Sequence, residues 1–194
     1  LSLLNKLKNL RKKIADIKSI PPYVIFQDPS LVEMSIRYPV KFEELSSIFG
    51  VGEGKSKKYG KEFLELISEY VEQNNITRPD DLVVKSAGKN SSLKLFIIQS
   101  IDRKLSIEDI AQSKSMDLSE LISEMETIIY SGTKLDISYC IDDYLDEDQQ
   151  GELFDYFIES ESDNIEMALE EFDSEYDEFE LKLFRIKFLS DLAN

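Results

Sequence analysis

Two stretches of this sequence carry residue types and spacings suited to binding. The first is Ile20-Pro21-Pro22-Tyr23-Val24-Ile25-Phe26-Gln27-Asp28. Its two prolines are expected to hold an apolar loop extended, with an aromatic ring directly after them. The second is Gly50-Val51-Gly52-Glu53-Gly54-Lys55-Ser56-Lys57-Lys58-Tyr59-Gly60. It reads as a glycine hairpin opening into a lysine-rich helix. Gly50 and Gly52 suit a tight turn that needs positive φ or close backbone approach. Backbone N–H groups at a helix start bind phosphate by geometry and dipole. The chemistry on offer is contact with a nucleic acid backbone. Catalysis is poorly served: the 194 residues contain no His, which removes the commonest general base and metal ligand. Asp142 to Gly151 lacks the alternating oxygen ligands, the mid-loop Gly and the final Glu of a calcium loop. No Walker motif is present, so no nucleotide, metal or other cofactor is expected on this stretch of chain.

The charge is unevenly divided. Residues 1–76 hold 12 Lys and Arg against 10 Asp and Glu, a net of +2, whereas residues 77–194 hold 11 against 29, a net of −18. The change falls at Asn74-Asn75-Ile76-Thr77-Arg78-Pro79-Asp80-Asp81, which divides the chain into two domains with different electrostatic tasks. The 42% hydrophobic content suffices for two buried cores. The single Cys140 excludes an internal disulfide, fits a reducing cytoplasm and reads as a small buried hydrophobe. No apolar run reaches the length of a membrane span and no signal peptide is visible. The chain starts without Met, inside a helical pattern, and is read as part of a longer protein.

The elements that must position these residues are helices throughout. Leu3, Leu4, Leu7, Leu10, Ile14 and Ile17 recur at helical spacing, with Lys6, Lys8, Arg11, Lys12, Lys13 and Lys18 on the outer face. Pro21-Pro22 ends that helix. Asp28 as N-cap and Pro29 at the first helical position start a second, which runs through Leu31, Met34 and Ile36 and stops before Pro39. Lys41 to Phe49 is a third, with Phe42, Leu45 and Ile48 inward. A fourth runs from about Gly54 to Gln73: Tyr59, Phe63, Leu66, Ile67 and Tyr70 share one arc, and Lys57, Lys58 and Lys61 project from the other. That lysine face is either a phosphate contact or a solvated face in which Lys58 and Lys61 pair with Glu62 and Glu65. The glycine hairpin beside it favours the first.

Beyond a polar connector at 77–90, a helix carries Leu93, Phe96, Ile97 and Ile101. Capping-box patterns at Ser106-Ile107-Glu108-Asp109 and Asp117-Leu118-Ser119-Glu120 open two more, the latter ending at Gly132. Three short helices with a tight second turn describe a helix-turn-helix, and Lys134 to Tyr139 could add a wing strand. A DNA-reading helix presents Arg, Lys, Asn or Gln; this third helix presents Asp117, Glu120, Glu124 and Glu126, which would repel phosphate. From Leu135 to Leu181 there is no Lys or Arg, and acids interleave with aromatics. This is too apolar for a disordered tail and predicts two or three helices, the last from about Tyr176 to Leu192.

The order Leu10-Arg11-Lys12-Lys13-Ile14-Ala15, Ile20-Pro21-Pro22-Tyr23-Val24-Ile25-Phe26-Gln27-Asp28, Ile48-Phe49-Gly50-Val51-Gly52 and Lys58-Tyr59-Gly60 resembles the HRDC domain (helicase and RNase D C-terminal) from Ser2 to Gln73. The segment Lys94-Leu95-Phe96-Ile97-Ile98-Gln99-Ser100-Ile101-Asp102-Arg103-Lys104 resembles the helix-turn-helix domain that follows HRDC in some bacterial RecQ helicases, from about Ser91 to Asp136. The resemblance implies an all-α chain: an HRDC-type bundle of about five helices at 1–76, a linker at 77–90, a helix-turn-helix domain at 91–136, and an acidic helical extension at 137–194 packed on it. It implies a non-catalytic part of a RecQ-type, ATP-dependent 3′–5′ DNA helicase in repair and recombination, bacterial, cytoplasmic and nucleoid-associated. ATP and Mg²⁺ would serve the parent protein. By the same resemblance Tyr23 is the ring that contacts single-stranded DNA, and Lys55, Lys57, Lys58 and Lys61, beside Gly50 and Gly52, are the phosphate contacts; Tyr23 could equally be a core residue. The expected partners are single-stranded or branched DNA, bound weakly because Glu53 intrudes in the hairpin, with the acidic part facing the helicase core or a basic protein and no membrane contact. Two alternatives stay open: a protein-interaction or autoregulatory module without DNA affinity, and the C-terminal part of an RNase D-like exonuclease.

Overall fold

The computed structural model describes residues 2–78 and 90–192. It is all-helical, with twelve helices and no strand among the described residues. The connector at 79–89 lies outside them. Two compact units result: residues 2–78 with Tyr130–Gly132, and residues 90–129 with 133–192.

In the first unit, α1 (Leu3–Lys18) is capped by the Ser2 hydroxyl, which accepts the Asn5 N–H. It buries Leu3, Leu7, Ile14 and Ala15. Ile17, grouped with that apolar stripe by spacing, is 74% exposed; Ala15 turns inward in the last turn instead. Ser19 then adopts left-handed φ and stops the helix. The two prolines do not hold a purely extended loop. Pro21 is extended, but Pro22 opens a one-turn helix, α2 (Pro22–Ile25), where a missing N–H is no loss. This turn buries Tyr23, Val24 and Ile25. Helix α3 (Asp28–Arg37) begins one residue earlier than capping logic suggests, with Gln27 as its cap and Asp28 already helical. Asp28 accepts from Arg11 at 2.6 Å and Lys8 at 3.4 Å, tying α3 to α1.

Helix α4 (Phe42–Ser46) is shorter than the predicted third helix, although Leu45 and Ile48 are buried as expected. Its start is held by Glu44, which accepts the N–H groups of Val40 and Lys41. Helix α5 (Gly52–Gln73) is the spine of the unit. Gly60 lets α5 approach α4 closely, since a Cβ there would lie 2.7 Å from Leu45 Cδ2. Phe26 sits at the centre, its ring edge-on to Phe63 at 4.9 Å and to Tyr59 at 6.2 Å.

In the second unit, α6 (Asn90–Asp102), α7 (Ile107–Ser113) and α8 (Leu118–Tyr130) form the helix-turn-helix. Ser106 caps α7. Asp117 and Glu120 make a reciprocal capping box on α8, at 2.8 and 2.9 Å. Helix α8 buries Leu121, Ile122, Met125, Ile128 and Ile129. No wing strand forms at 134–139. Leu135 and Ile137 alternate inward as a strand would, but the Leu135 N–H donates to Ser190 Oγ at 2.9 Å rather than to a neighbouring strand. The segment then coils into α9 (Ser138–Ile141).

The acidic region forms α10 (Glu147–Glu159), α11 (Ile165–Glu171) and α12 (Glu178–Leu192). Helix α12 is apolar on nearly every side, burying Leu181, Leu183, Phe184, Ile186, Phe188 and Leu189, as a helix at the centre of a unit must. Its rings meet Phe157 of α10 at 6.1 Å (Phe184) and 5.7 Å (Phe188). Glu126, expected on the open polar face of α8, is instead mostly buried and paired with Arg185 of α12. Arg185 also donates to the Asp163 carbonyl at 2.6 Å. Cys140 is buried, and burial pushes its thiol up to about 11, so it stays protonated and inert.

Candidate nucleic-acid interface

The first unit presents its cations on α1 and on the first half of α5. Lys57, Lys58 and Lys61 are exposed, whereas Tyr59, Phe63 and Ile67 of the same helix are buried. Lys57 lies 3.5 Å from Glu53 one turn earlier, in a pair so exposed that water and salt screen it. Lys61 has no carboxylate partner among the described residues.

Lys18 joins this surface from the last turn of α1. Its Nζ lies 5.8 Å from the centroid of the Tyr59 ring, and Lys58 Nζ lies 5.4 Å from the same centroid. Two ammonium groups therefore share one aromatic ring. Burial and, after it, the charge of Lys18 lower the Lys58 pKa from its usual value. Lys18 has no carboxylate partner among the described residues. The two positive charges are near enough for that of Lys18 to act on Lys58. Burial raises the Tyr59 phenol, keeping it neutral beneath the two cations.

Two of the residues that sequence pointed to are placed elsewhere. Tyr23 is 5% exposed, in the one-turn helix α2 that forms where an extended loop was expected. Lys55 is 4% exposed, in the first turn of α5, and does not present its ammonium to a strand. Gly50 and Gly52 have the expected positive φ, +72° and +60°, and shape the entry to α5. The acid in that first turn, Glu53, is exposed. The cationic surface thus begins at Lys57, a turn further on than the glycine hairpin. Lys18 was visible in sequence as one more lysine on the outer face of α1. Only the fold shows that the end of α1 comes back beside α5, and no spacing rule links positions 18 and 58.

Among the described residues no group of acids, Cys or His is arranged to hold a metal ion. No described helix is long and apolar enough to cross a membrane.

A five-helix bundle with a lysine-lined helix, followed by a helix-turn-helix, is the pairing that known families also show. Residues 1–67 match the HRDC domain family and residues 91–141 match the RecQ-1-like helix-turn-helix domain family. Together the two domains mark the C-terminal region of a RecQ-type helicase. Over 68 residues, 35% of its length, the chain is 48% identical to the ATP-dependent DNA helicase RecQ of Bacillus subtilis, of which it covers 12%. It is 43% identical over 68 residues, again 35% of its length, to the RecQ of Haemophilus influenzae, covering 11% of that protein. With the ATP-dependent DNA helicase Q-like 4B of Arabidopsis thaliana it shares 42% identity over 81 residues, 40% of this chain and 7% of that one. The chain thus corresponds to a small part of each of these relatives.

Proposed function

We propose that this chain is a non-catalytic part of an ATP-dependent 3′–5′ DNA helicase of the RecQ type, acting in repair and recombination, and that its HRDC unit is an auxiliary grip on single-stranded or junction DNA. ATP and Mg²⁺ then serve the motor of the parent protein. The observation that carries the reading is the convergence of Lys18 and Lys58 on the Tyr59 ring, extended along α5 by Lys57 and Lys61. It is an anion site made of one cation from each of two helices. Phosphate contact of this kind is independent of sequence and salt-dependent.

The test is fluorescence anisotropy of a labelled single-stranded oligonucleotide against the 194-residue chain over a salt series. We expect weak, micromolar binding, with a log–log salt slope of about 0.7 per neutralised phosphate. Lys18→Glu and Lys58→Glu should each weaken it several-fold. Absence of binding at low salt would overturn the reading.

A second reading concerns the other unit. The complete lack of Lys and Arg from Leu135 to Leu181 favours an acidic docking face for a basic partner, the helicase motor itself included. Deleting residues 90–194 from the parent enzyme should then alter its DNA-dependent ATPase; unchanged activity would count against it.

A further inference from the structure

Tyr23 is 5% exposed, whereas one aromatic side chain of the first unit stands out in solvent. Phe49 is 71% exposed, whereas Tyr38, Phe42 and Tyr70 are half-buried, and Tyr23, Phe26, Tyr59 and Phe63 are buried. An exposed Phe on a floppy loop would mean little. Phe49 is held by its backbone from both sides. Its N–H donates to Glu33 Oε2 at 3.0 Å, and its carbonyl accepts from Ser30 Oγ at 2.7 Å, Ser30 being fully buried. Glu33 is fixed in turn by Arg37, at 2.6 Å. Gly50 follows at φ +72°, where a Cβ would come within 3.1 Å of Ser30 Oγ, so the turn that sets the direction of Phe49 depends on glycine. A rigid backbone thus displays an apolar ring to water, beside a helix whose outer side chains at Val32 and Ile36 are also exposed.

We propose that Phe49 is a base-stacking platform for single-stranded nucleic acid, its ring receiving a base while the strand's phosphates run to Lys57, Lys58 and Lys61. This rests on the DNA-grip reading of the same unit. The exposed lysines of α5, the helix that follows the Phe49–Gly50 turn, favour a polyanion over an apolar protein segment. Helix α5 starts three residues after Phe49, and at 1.5 Å per residue Lys57 lies roughly 7–8 Å along it. An aromatic platform beside a cationic track is how strands are held without regard to sequence, because every base has a π-face.

The chain contains no Trp, so Phe49→Trp installs a single indole at the proposed platform. The full 194-residue chain is titrated with an oligothymidylate and with an abasic deoxyribose-phosphate strand of equal length. Stacking predicts that emission from the installed indole is quenched by the thymidylate and not by the abasic strand. It predicts that Phe49→Ala weakens thymidylate binding about 5- to 150-fold, the range one stacked base confers, without changing abasic binding. Phe49→Tyr should retain affinity, and Lys58→Glu should weaken both ligands. Equal binding by wild type and Phe49→Ala, with Lys58→Glu still impaired, would overturn the platform and leave the phosphate grip standing. Indole emission that responds only to the parent's motor domains would assign the ring to a protein interface and overturn the platform as well. If wild type binds neither strand, the grip and the platform fall together. The exposure of Phe49 keeps its variants folded, which circular dichroism checks.

Discussion

The two units use charge in opposite ways. In the first, carboxylates are spent on architecture: Asp28 joins α3 to α1 through Arg11 and Lys8, Glu33 holds Arg37 and the Phe49 amide, and Glu44 caps α4 while accepting from Arg78 at 2.6 Å. Acids used in this way leave Lys18 and Lys61 without a carboxylate among the described residues, and a net of only +2 becomes a local cationic surface. In the second unit α12 supplies the cations of three ion pairs, at Lys182, Arg185 and Lys187. Among the described residues the acids of α10 and α11 have no cationic partner and stay in solvent. Net charge, then, says less about what a surface binds than which charges the fold has already used.

The strongest way to break this contrast lies at its exception, the buried Arg185–Glu126 pair. Arg185→Ala should cost the second unit about 3–5 kcal/mol, because the Glu126 carboxylate is left without compensation. The double replacement Arg185→Leu/Glu126→Leu should cost far less, as chemical denaturation would show. If both cost the same, the pair is not what holds α8 to α12.

In the first unit Gly50→Ala should cost about 1–2 kcal/mol, the penalty of a side chain at left-handed φ, read as a lower denaturation midpoint. A smaller effect is expected from acid. Burial raises the carboxyl of Asp28, but the hydrogen bonds and charges of Arg11 and Lys8 outweigh it and leave the pKa lowered. Glu44 is lowered likewise: burial is overcome by the Val40 N–H, by Arg78 and by the Lys41 N–H. A lowered folded-state pKa gives stability that is present above the ordinary carboxylate range and lost as pH falls through the folded value. Thermal melts of the first unit should therefore drop as pH goes below about 4, the ordinary carboxylate value, and Asp28→Asn should flatten that drop. The smallest expected effect is that of salt. Raising ionic strength should raise the melting temperature of the second unit by a few degrees at most, through screening of its self-repulsion, while weakening the DNA grip proposed for the first.

Much of the fold was legible because local rules and packing agree. The apolar periods of α5 and α8, the Asp117–Glu120 capping box and the positive-φ glycines could be read directly. Where sequence misled, a distant partner decided. Leu135 and Ile137 alternate like a strand, but Ser190, fifty-five residues later, takes the amide. Glu126 looks like a surface acid until Arg185 arrives from α12. The candidate interface was half-legible for the same reason. The exposure of Lys57, Lys58 and Lys61 follows from helical phase alone, whereas the place of Lys18 depends on how α1 returns to α5, and the burial of Tyr23 on packing that no local rule shows.

Helix α12 carries one more implication, for the order of events during synthesis. It supplies Arg185 to α8, Ser190 to the segment after α8, and Phe184 and Phe188 to α10. A ribosome delivers α12 after every other element of its unit. The helix-turn-helix and acidic helices must therefore wait, with apolar faces open, for a central piece that emerges after them. The first unit closes its own core from α1 to α5 and does not have to wait. A nascent chain arrested before position 178 should carry a folded, protease-resistant HRDC bundle followed by a second unit that chaperones hold and proteases cut.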